Sequence, residues 1–179
     1  MLLFLAKPCP TMQMKIRPAT LDDLPGILEI YNEAVLNTTA TYDYEPRTWE
    51  HRRTWFEDHA KSNYPVFVAE DPASRIVGWS SLNRYHDRMG YRFTTENSVY
   101  VAADQRGRGI GKLLMPPLIE SAQARGFRAI LAAIDAENPA SLRLHAAFGF
   151  ERVGHFRQVG FKFGRWLDVV YMERLFPGH

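Results

Sequence analysis

A glycine-rich turn at residues 105–112 constrains the fold of this chain more than any other segment. It follows the strand-like run Ser98–Ala102 and opens an apolar helical pattern, so the chain passes from strand to helix through the turn. Its glycines occupy alternate positions, 107, 109 and 111, and lack of Cβ atoms lets backbone N–H groups converge on a bound group. Three cations fall in the same segment: Arg106, Arg108 and Lys112. Since a helix N-terminus also favours an anion, the sequence predicts a phosphate-binding turn.

Two familiar phosphate-binding motifs do not fit this turn. Lys112 is followed by Leu113 and not by the Ser or Thr that holds Mg²⁺ in a P-loop. The glycine spacing departs from the G-x-G-x-x-G of dinucleotide-binding folds, and the preceding strand does not start a βαβ unit. A tight surface turn with solvated arginines is the alternative, and the turn by itself does not decide between the two.

Length, charge and cysteine content narrow the class of protein. The chain has 179 residues, enough for one domain with a buried core, and 46% of them are hydrophobic against 23% charged. The formal net charge of +2 is too small to predict a nucleic-acid partner or a membrane-surface partner. Cys9 is the only cysteine, which excludes an intrachain disulfide and fits a reducing, cytoplasmic compartment.

Residues 1–13 are interpreted as an N-terminal extension, and residues 14–176 as a single domain. The apolar run Leu2–Leu5 is too short for a signal-peptide core or a transmembrane helix. Met12 and Met14 stand directly before the first strand-like segment, so the natural start is open between them and Met1.

Hydrophobic periodicity predicts strands and helices in mixed order. The predicted strands cover residues 15–19, 66–69, 76–82, 94–102, 129–134, 150–163 and 166–174. The predicted helices cover residues 24–35, 48–62, 109–125 and 139–148. Pro116 and Pro117 lie inside the third helix, and because each costs roughly 3 kcal/mol in a helix interior, a kink is expected there.

A second motif, Asn-Pro-Ala-Ser-Leu-Arg-Leu-His, occupies residues 138–145. Asn138 suits a helix N-cap, Pro139 suits the first helical position, and Gly149 suits the residue that ends the helix. Together with Arg106-x-x-Gly109-x-Gly111, this helix resembles the acetyl-CoA-binding elements of the GNAT superfamily of N-acetyltransferases.

Three further segments resemble one particular branch of that superfamily. Residues 95–101, 144–145 and 160–168 look like segments of the phosphinothricin and methionine sulfoximine acetyltransferases, and the similarity covers residues 14–176. It implies an α/β (α+β) fold with a central mixed, mostly antiparallel twisted sheet of about six to seven strands flanked by about four helices. It also implies a metal-independent, cytoplasmic homodimer with acetyl-CoA as cosubstrate and a small-molecule amine as substrate.

The resemblance assigns the acetyl-CoA site to the strand, the turn and the second motif. The backbone of residues 99–101 is expected to pair with the pantetheine arm and to point an N–H at the thioester carbonyl, an oxyanion-hole role. The turn is expected to hold the pyrophosphate. The cofactor-binding candidates are Val99, Tyr100, Val101, Arg106, Gly107, Arg108, Gly109, Ile110, Gly111, Lys112 and Asn138.

Two residues are candidates for proton transfer. Glu96 precedes the coenzyme-binding part of the strand, and the resemblance makes it the general base that deprotonates the acceptor ammonium. Taken alone, Glu96 would be a surface strand glutamate. His145 follows Asn138 at the position where many GNAT enzymes carry a tyrosine that protonates the leaving thiolate. A packed, hydrogen-bonded structural histidine is the alternative for His145.

Recognition of the acceptor is assigned to the loop before the Glu96 strand. Arginine side chains there suit carboxylate or phosphinate oxygens, although any one of them taken alone is better interpreted as a solvated surface cation. The substrate-binding candidates are Arg88, Met89, Gly90, Tyr91, Arg92 and Glu96 itself. Further candidates for the acceptor site are Arg84, Lys162 and a lid made by Tyr42 and Tyr44.

The sequence therefore favours an acetyl-CoA-dependent N-acetyltransferase that acts on the α-amino group of a small amino-acid analogue. The analogue would be of the phosphinothricin, methionine sulfoximine or methionine sulfone type. Acetylation of peptide, protein or polyamine amines is an alternative within enzymes. A non-catalytic acyl-CoA-binding module is an alternative of another class.

Overall fold

The computed structural model of this protein describes residues 14–177, so the N-terminal extension expected at residues 1–13 lies outside the described part. The described chain forms seven strands: β1 (Lys15–Pro18), β2 (Val66–Glu70), β3 (Ile76–Arg84), β4 (Thr94–Val101), β5 (Ala129–Asp135), β6 (Glu151–Lys162) and β7 (Arg165–Leu175). It also forms four α-helices: α1 (Leu24–Asn37), α2 (Trp49–Lys61), α3 (Ile110–Ala124) and α4 (Pro139–Ala147). Across residues 14–177, no helix combines the length and apolar character that crossing a bilayer requires.

The strands form one sheet in the order β1-β2-β3-β4-β5-β7-β6. Every neighbouring pair is antiparallel except β4 and β5, which run parallel. A parallel pair needs a long crossover, and here the glycine turn and α3 supply it. The predicted mixed, mostly antiparallel sheet with flanking helices is confirmed.

The parallel pair is joined over only part of its length. Thr94, Thr95 and Glu96 of β4 pair with Ala129, Ile130 and Leu131 of β5. Beyond them β4 continues to pair with β3, and β5 continues to pair with β7. In the described ladder, residues 97–101 of β4 therefore have one edge that pairs with no strand. Because backbone N–H and C=O groups need partners, this edge is available to a ligand.

Helices cover both faces of the sheet. On one face α3 buries Leu114 and Leu118 completely against the strands, close to Ile130. On the other face α1 buries Leu24 and Ile27. Full burial of such a side chain contributes roughly 1.5–3 kcal/mol, so these two cores stabilise the sheet from both faces.

The two prolines lie inside a single assigned helix, as the sequence predicts. Pro116 and Pro117 cannot donate to the carbonyls of Lys112 and Leu113, one turn earlier. Both of those residues are exposed, so solvent can satisfy their carbonyls. The kink itself stays a prediction.

Candidate functional site

A cleft of about 990 Å³ opens where β4 and β5 separate. Its walls come from β4, the glycine turn, the end of β5, the start of α4 and the loop after α1. This volume suits a bound small molecule. Most of the predicted cofactor-binding residues line the cleft: Val99, Tyr100, Val101, Arg106, Gly107, Gly109, Ile110, Gly111, Lys112 and Asn138. Arg108 is exposed and is not among the lining residues.

The glycine turn has the geometry of an anion cradle. Gly107 and Gly109 have φ of +78° and +83°, a conformation that residues with a side chain rarely adopt. A Cβ at either position would meet nothing within 4 Å among the described residues, so the surface beside the backbone is open. Gly109 immediately precedes α3, whose first N–H groups lack intrahelical partners. The residues present therefore fit a pyrophosphate group.

Gly111 has a different role from the two glycines before it. A Cβ there would lie 3.0 Å from Cδ2 of Leu144, so glycine lets α4 approach α3 closely. α4 begins as the sequence predicts, with the Asn138 side chain accepting from the N–H of Ser141 at 3.1 Å and Pro139 as the first residue. The first residues of α3 and several residues of α4 line the cleft together.

The positively charged side chains around the cleft differ in how free they are to bind an anionic ligand. Arg106 is paired with Glu33 of α1, and its Nε donates to the carbonyl of Val101 at 3.2 Å. Lys112 is exposed at the start of α3. Arg143 of α4 is exposed and also lines the cleft, although the sequence analysis did not select it. Arg143 belongs to the second motif, which the resemblance assigns to the acetyl-CoA site, and that assignment was the signal that could have identified it.

Glu96 lies at the end of the cleft where β4 and β5 are still paired. Its side chain is half-buried, and burial raises its pKa above the ordinary value of 4.5. No hydrogen bond to the carboxylate is made by any described residue, so its lone pairs remain open to a ligand. A half-desolvated carboxylate with a raised pKa is suited to take up a proton near neutral pH.

His145 is buried and both of its ring nitrogens are engaged. Nδ1 lies 2.8 Å from the carbonyl oxygen of Ser141, which can only accept, so Nδ1 carries the proton. Nε2 lies 2.9 Å from Nδ2 of Asn97 and accepts its hydrogen bond. Burial lowers the pKa of His145, which keeps the ring neutral. This geometry favours the structural alternative, a link between α4 and β4, and the catalytic role stays a prediction.

The loop assigned to the acceptor does not line the cleft. Arg88, Met89, Gly90, Tyr91 and Arg92 are all exposed, and none is among the lining residues. The Nη1 of Arg92 donates to the carbonyl of Met89 at 3.3 Å, so this cation is bound within its own loop. The substrate assignment of these residues stays a prediction.

Two tyrosines lie near this part of the molecule, Tyr85 beside the loop and Tyr171 near Glu96. Tyr85 contacts Tyr91 with ring centroids 5.4 Å apart. Burial, followed by the negative charge of the Glu96 carboxylate, raises the pKa of Tyr171 on β7. Tyr171 therefore lies near Glu96, and Tyr85 packs against the loop through Tyr91.

The loop at residues 38–44 lies beside the cleft and is held by side chains of β4 and β6. Thr38, Thr39, Ala40 and Thr41 line the cleft, which the sequence analysis missed. The hydroxyl of Tyr100 on β4 donates to the carbonyl of Ala40 at 3.3 Å. On the other side Lys162 of β6 donates from Nζ to the carbonyls of Thr38 and Thr41, at 2.8 and 2.7 Å. Lys162 is only 2% exposed, so it clamps this loop and does not face the acceptor.

Comparisons with known proteins agree with this geometry. The family model described as an acetyltransferase (GNAT) domain matches residues 16–171. An L-methionine sulfoximine/L-methionine sulfone acetyltransferase of Pseudomonas aeruginosa is 47% identical over 162 residues, covering 90% of this chain and 94% of the relative.

Solved structures lead to the same family. A phosphinothricin acetyltransferase from Sinorhizobium meliloti, crystallised with acetyl-CoA, has a TM-score of 0.90 and 39% identity over 93% of this chain and 91% of its own. A ribosomal-protein-alanine N-acetyltransferase from Brucella melitensis has a TM-score of 0.88 and 43% identity over 90% of this chain and 99% of its own. The resemblance read from residues 95–101, 144–145 and 160–168 is thereby confirmed, and the chain belongs to the GNAT family of acetyltransferases.

Proposed function

We propose that this protein transfers the acetyl group of acetyl-CoA to the α-amino group of a small amino-acid analogue. The acceptor is of the methionine sulfoximine, methionine sulfone or phosphinothricin type. The observation that carries the proposal is the half-buried carboxylate of Glu96, with its raised pKa, in the same cleft as the glycine turn. Both features are needed for acetyl transfer from a phosphorylated thioester donor to an ammonium.

The residues of the cleft bind and polarise the donor. Backbone N–H groups of the turn bind the pyrophosphate, assisted by Lys112. The unpaired edge of β4 at residues 97–101 accepts and donates hydrogen bonds along the pantetheine arm. A backbone N–H of this edge donates to the thioester carbonyl oxygen and stabilises the negative charge that develops there.

Glu96 acts on the acceptor. Its carboxylate takes a proton from the substrate ammonium, directly or through one water, and its raised pKa favours that transfer. The neutral amine attacks the thioester carbon, the tetrahedral intermediate collapses, and the C–S bond breaks. The nitrogen loses two protons in all: one passes to the departing thiolate and the other reaches solvent through Glu96. The products are the N-acetylated amino acid and CoA with a free thiol.

A homodimer in the cytoplasm belongs to the same proposal. β6 is an edge strand of the sheet, and the β6–β7 hairpin exposes a set of large apolar side chains: Val153, Phe156, Val159, Phe161, Phe163 and Trp166. Exposed edges of this kind favour pairing with a second copy. Sedimentation equilibrium tests this point, and a monomer at micromolar concentration would contradict it.

A thiol-release assay with acetyl-CoA and a panel of acceptors tests the function. The panel contains methionine sulfone, methionine sulfoximine, phosphinothricin, methionine, a polyamine and peptides with N-terminal alanine or internal lysine. The sulfone and sulfoximine oxygens accept hydrogen bonds that a thioether accepts poorly, so we expect kcat/KM at least about tenfold above that for methionine. Preference for a peptide or polyamine would contradict the small-acceptor proposal, and no thiol release with any acceptor would contradict catalysis.

A further inference from the structure

Two complementary polar atoms lie buried beside the cleft. Within residues 14–177, neither the hydroxyl of Tyr42 nor Oδ2 of Asp135 has a hydrogen-bond partner, although both atoms are buried. Asp135 is only 5% exposed and is one of the residues that line the cleft. Tyr42 directly follows the four loop residues that line it. Buried polar groups are rarely left unpaired in native proteins, so this pair needs an explanation.

The structure holds both side chains in place. Asp135 ends β5, and its other oxygen, Oδ1, accepts from the N–H of Glu137 at 2.8 Å. The ring of Tyr42 lies against Gly160, where a Cβ would collide with it. Lys162 ties the adjacent carbonyl of Thr41 to β6. Contacts with the surrounding structure therefore fix the positions of both side chains.

Their chemistry at neutral pH is one donor and one acceptor. Burial, followed by the charges of Asp135 and Asp168, raises the pKa of Tyr42 to about 12. Tyr42 therefore keeps its proton and can donate it. Its ring covers Gly160, which pairs with Leu167 of β7, and Asp135 pairs with Val169, two residues further along the same strand. The carboxylate oxygen of Asp135 can only accept. A group that offers one C=O and one N–H satisfies both, and a secondary amide is such a group.

We propose that Tyr42 and Asp135 form a subsite for an amide of the pantetheine arm of the coenzyme. The Tyr42 hydroxyl donates to the amide oxygen, and Oδ2 of Asp135 accepts from the amide nitrogen. This inference rests on the proposed use of acetyl-CoA and assigns a part of its binding to two side chains outside the glycine turn and outside β4.

Position along the strand favours the arm over the acceptor as occupant. Glu96 is level with Leu131 on β5, and Asp135 lies four residues further along that strand. At about 3.3 Å per residue, the separation along β5 is roughly 13 Å, so an ammonium bound at Asp135 would be out of reach of Glu96. Asp135 lies toward the end of the cleft where the glycine turn and Asn138 are found. An arm that runs from the turn toward Glu96 passes this position.

Calorimetric binding of two ligands tests the subsite. The ligands are CoA and 3′-phosphoadenosine 5′-diphosphate, the nucleotide half that lacks the arm. Tyr42→Phe removes the donor, and Asp135→Asn keeps the acceptor toward Glu137 while placing an NH₂ where the amide N–H should bind. We expect each variant to bind CoA about tenfold more weakly and the nucleotide with unchanged affinity. Tyr64→Phe, a tyrosine packed on Phe127 outside the cleft lining, is the matched control and should change neither.

Four results would overturn the subsite. Unchanged CoA affinity in both variants, together with an unchanged KM for the acceptor, would mean that no ligand group binds there. Equal weakening for both ligands would mean that the substitutions disturb the fold or the nucleotide site, and thermal unfolding of each variant separates these causes. Unchanged CoA affinity with a raised KM for the acceptor would assign the pair to the acceptor. Failure of the unsubstituted protein to bind CoA at all would overturn the proposed function along with the subsite.

Discussion

Gly109→Ala separates backbone strain from ligand binding in the glycine turn. Gly109 has φ of +83°, and a Cβ there would meet nothing within 4 Å in the described structure, so the substitution creates strain without a clash. Placing an L-residue in that conformation costs about 1–2 kcal/mol. Because alanine also restricts the unfolded chain by about 0.4–1 kcal/mol, the net loss of unfolding free energy is about 1 kcal/mol.

The chain offers a matched control for that loss. Gly126, after the end of α3, has φ of +74° and equally open space around its Cβ position, and it is not among the cleft residues. Gly126→Ala should therefore lose the same ~1 kcal/mol, a fall in Tm of about 2–4 °C for a chain of this size. Urea unfolding of both variants measures the free energies.

Only the first variant should lose coenzyme affinity. The added methyl at Gly109 blocks close approach of the pyrophosphate to the backbone, and each hydrogen bond lost to a charged group is worth about 1.5–3 kcal/mol. The KM and Kd for acetyl-CoA should therefore rise about tenfold to a hundredfold in Gly109→Ala and stay unchanged in Gly126→Ala. Equal affinity of the two variants for acetyl-CoA would refute the role of the turn.

Two further residues give distinct predictions. Lys162→Met leaves the carbonyls of Thr38 and Thr41 without their donor, at a cost of about 1–3 kcal/mol per unsatisfied buried group, so amide hydrogen exchange at residues 38–44 should speed up. Unchanged exchange there would contradict the clamp. His145 has a lowered pKa in the folded state, so its contribution to stability is present above pH ~6.5 and is lost as pH falls from there. Urea unfolding at pH 7 and pH 5.5 should show a smaller acid-induced loss in His145→Gln than in the unsubstituted protein, and equal losses would contradict the buried neutral ring.

Local sequence patterns were enough to predict those elements whose conformation is determined by residues close in the chain. The alternation in β4, the glycines at 107 and 109, and the Asn138-Pro139 start of α4 are each determined by residues close in the chain. Backbone conformation at such positions follows from the residue type, so the turn and the helix start could be placed without knowledge of the rest.

Long-range contacts account for what the sequence left open. Arg106 is a predicted phosphate ligand, yet its side chain pairs with Glu33 of α1, 73 residues earlier in the chain. Lys162 looks like an acceptor-binding cation on a late hairpin, but the loop after α1 covers it and accepts its hydrogen bonds. No local sequence pattern around Arg106 or Lys162 identifies its partner. Contacts between residues so far apart in the chain are therefore visible only once the fold is known.

The pH dependence of kcat/KM in Glu96→Gln tests the central claim, that Glu96 deprotonates the acceptor in the cleft. At saturating acetyl-CoA with methionine sulfone, turnover at pH 7 should fall by about 10²–10⁴, and the loss should shrink as pH rises and neutral amine becomes abundant. Because burial raises the pKa of Glu96, the ionised carboxylate opposes folding at neutral pH, so the variant should be at least as stable as the unsubstituted protein. Glu120→Gln, an exposed change on α3, is the control and should behave as the unsubstituted enzyme. Turnover of Glu96→Gln at pH 7 equal to that of the control would contradict the account.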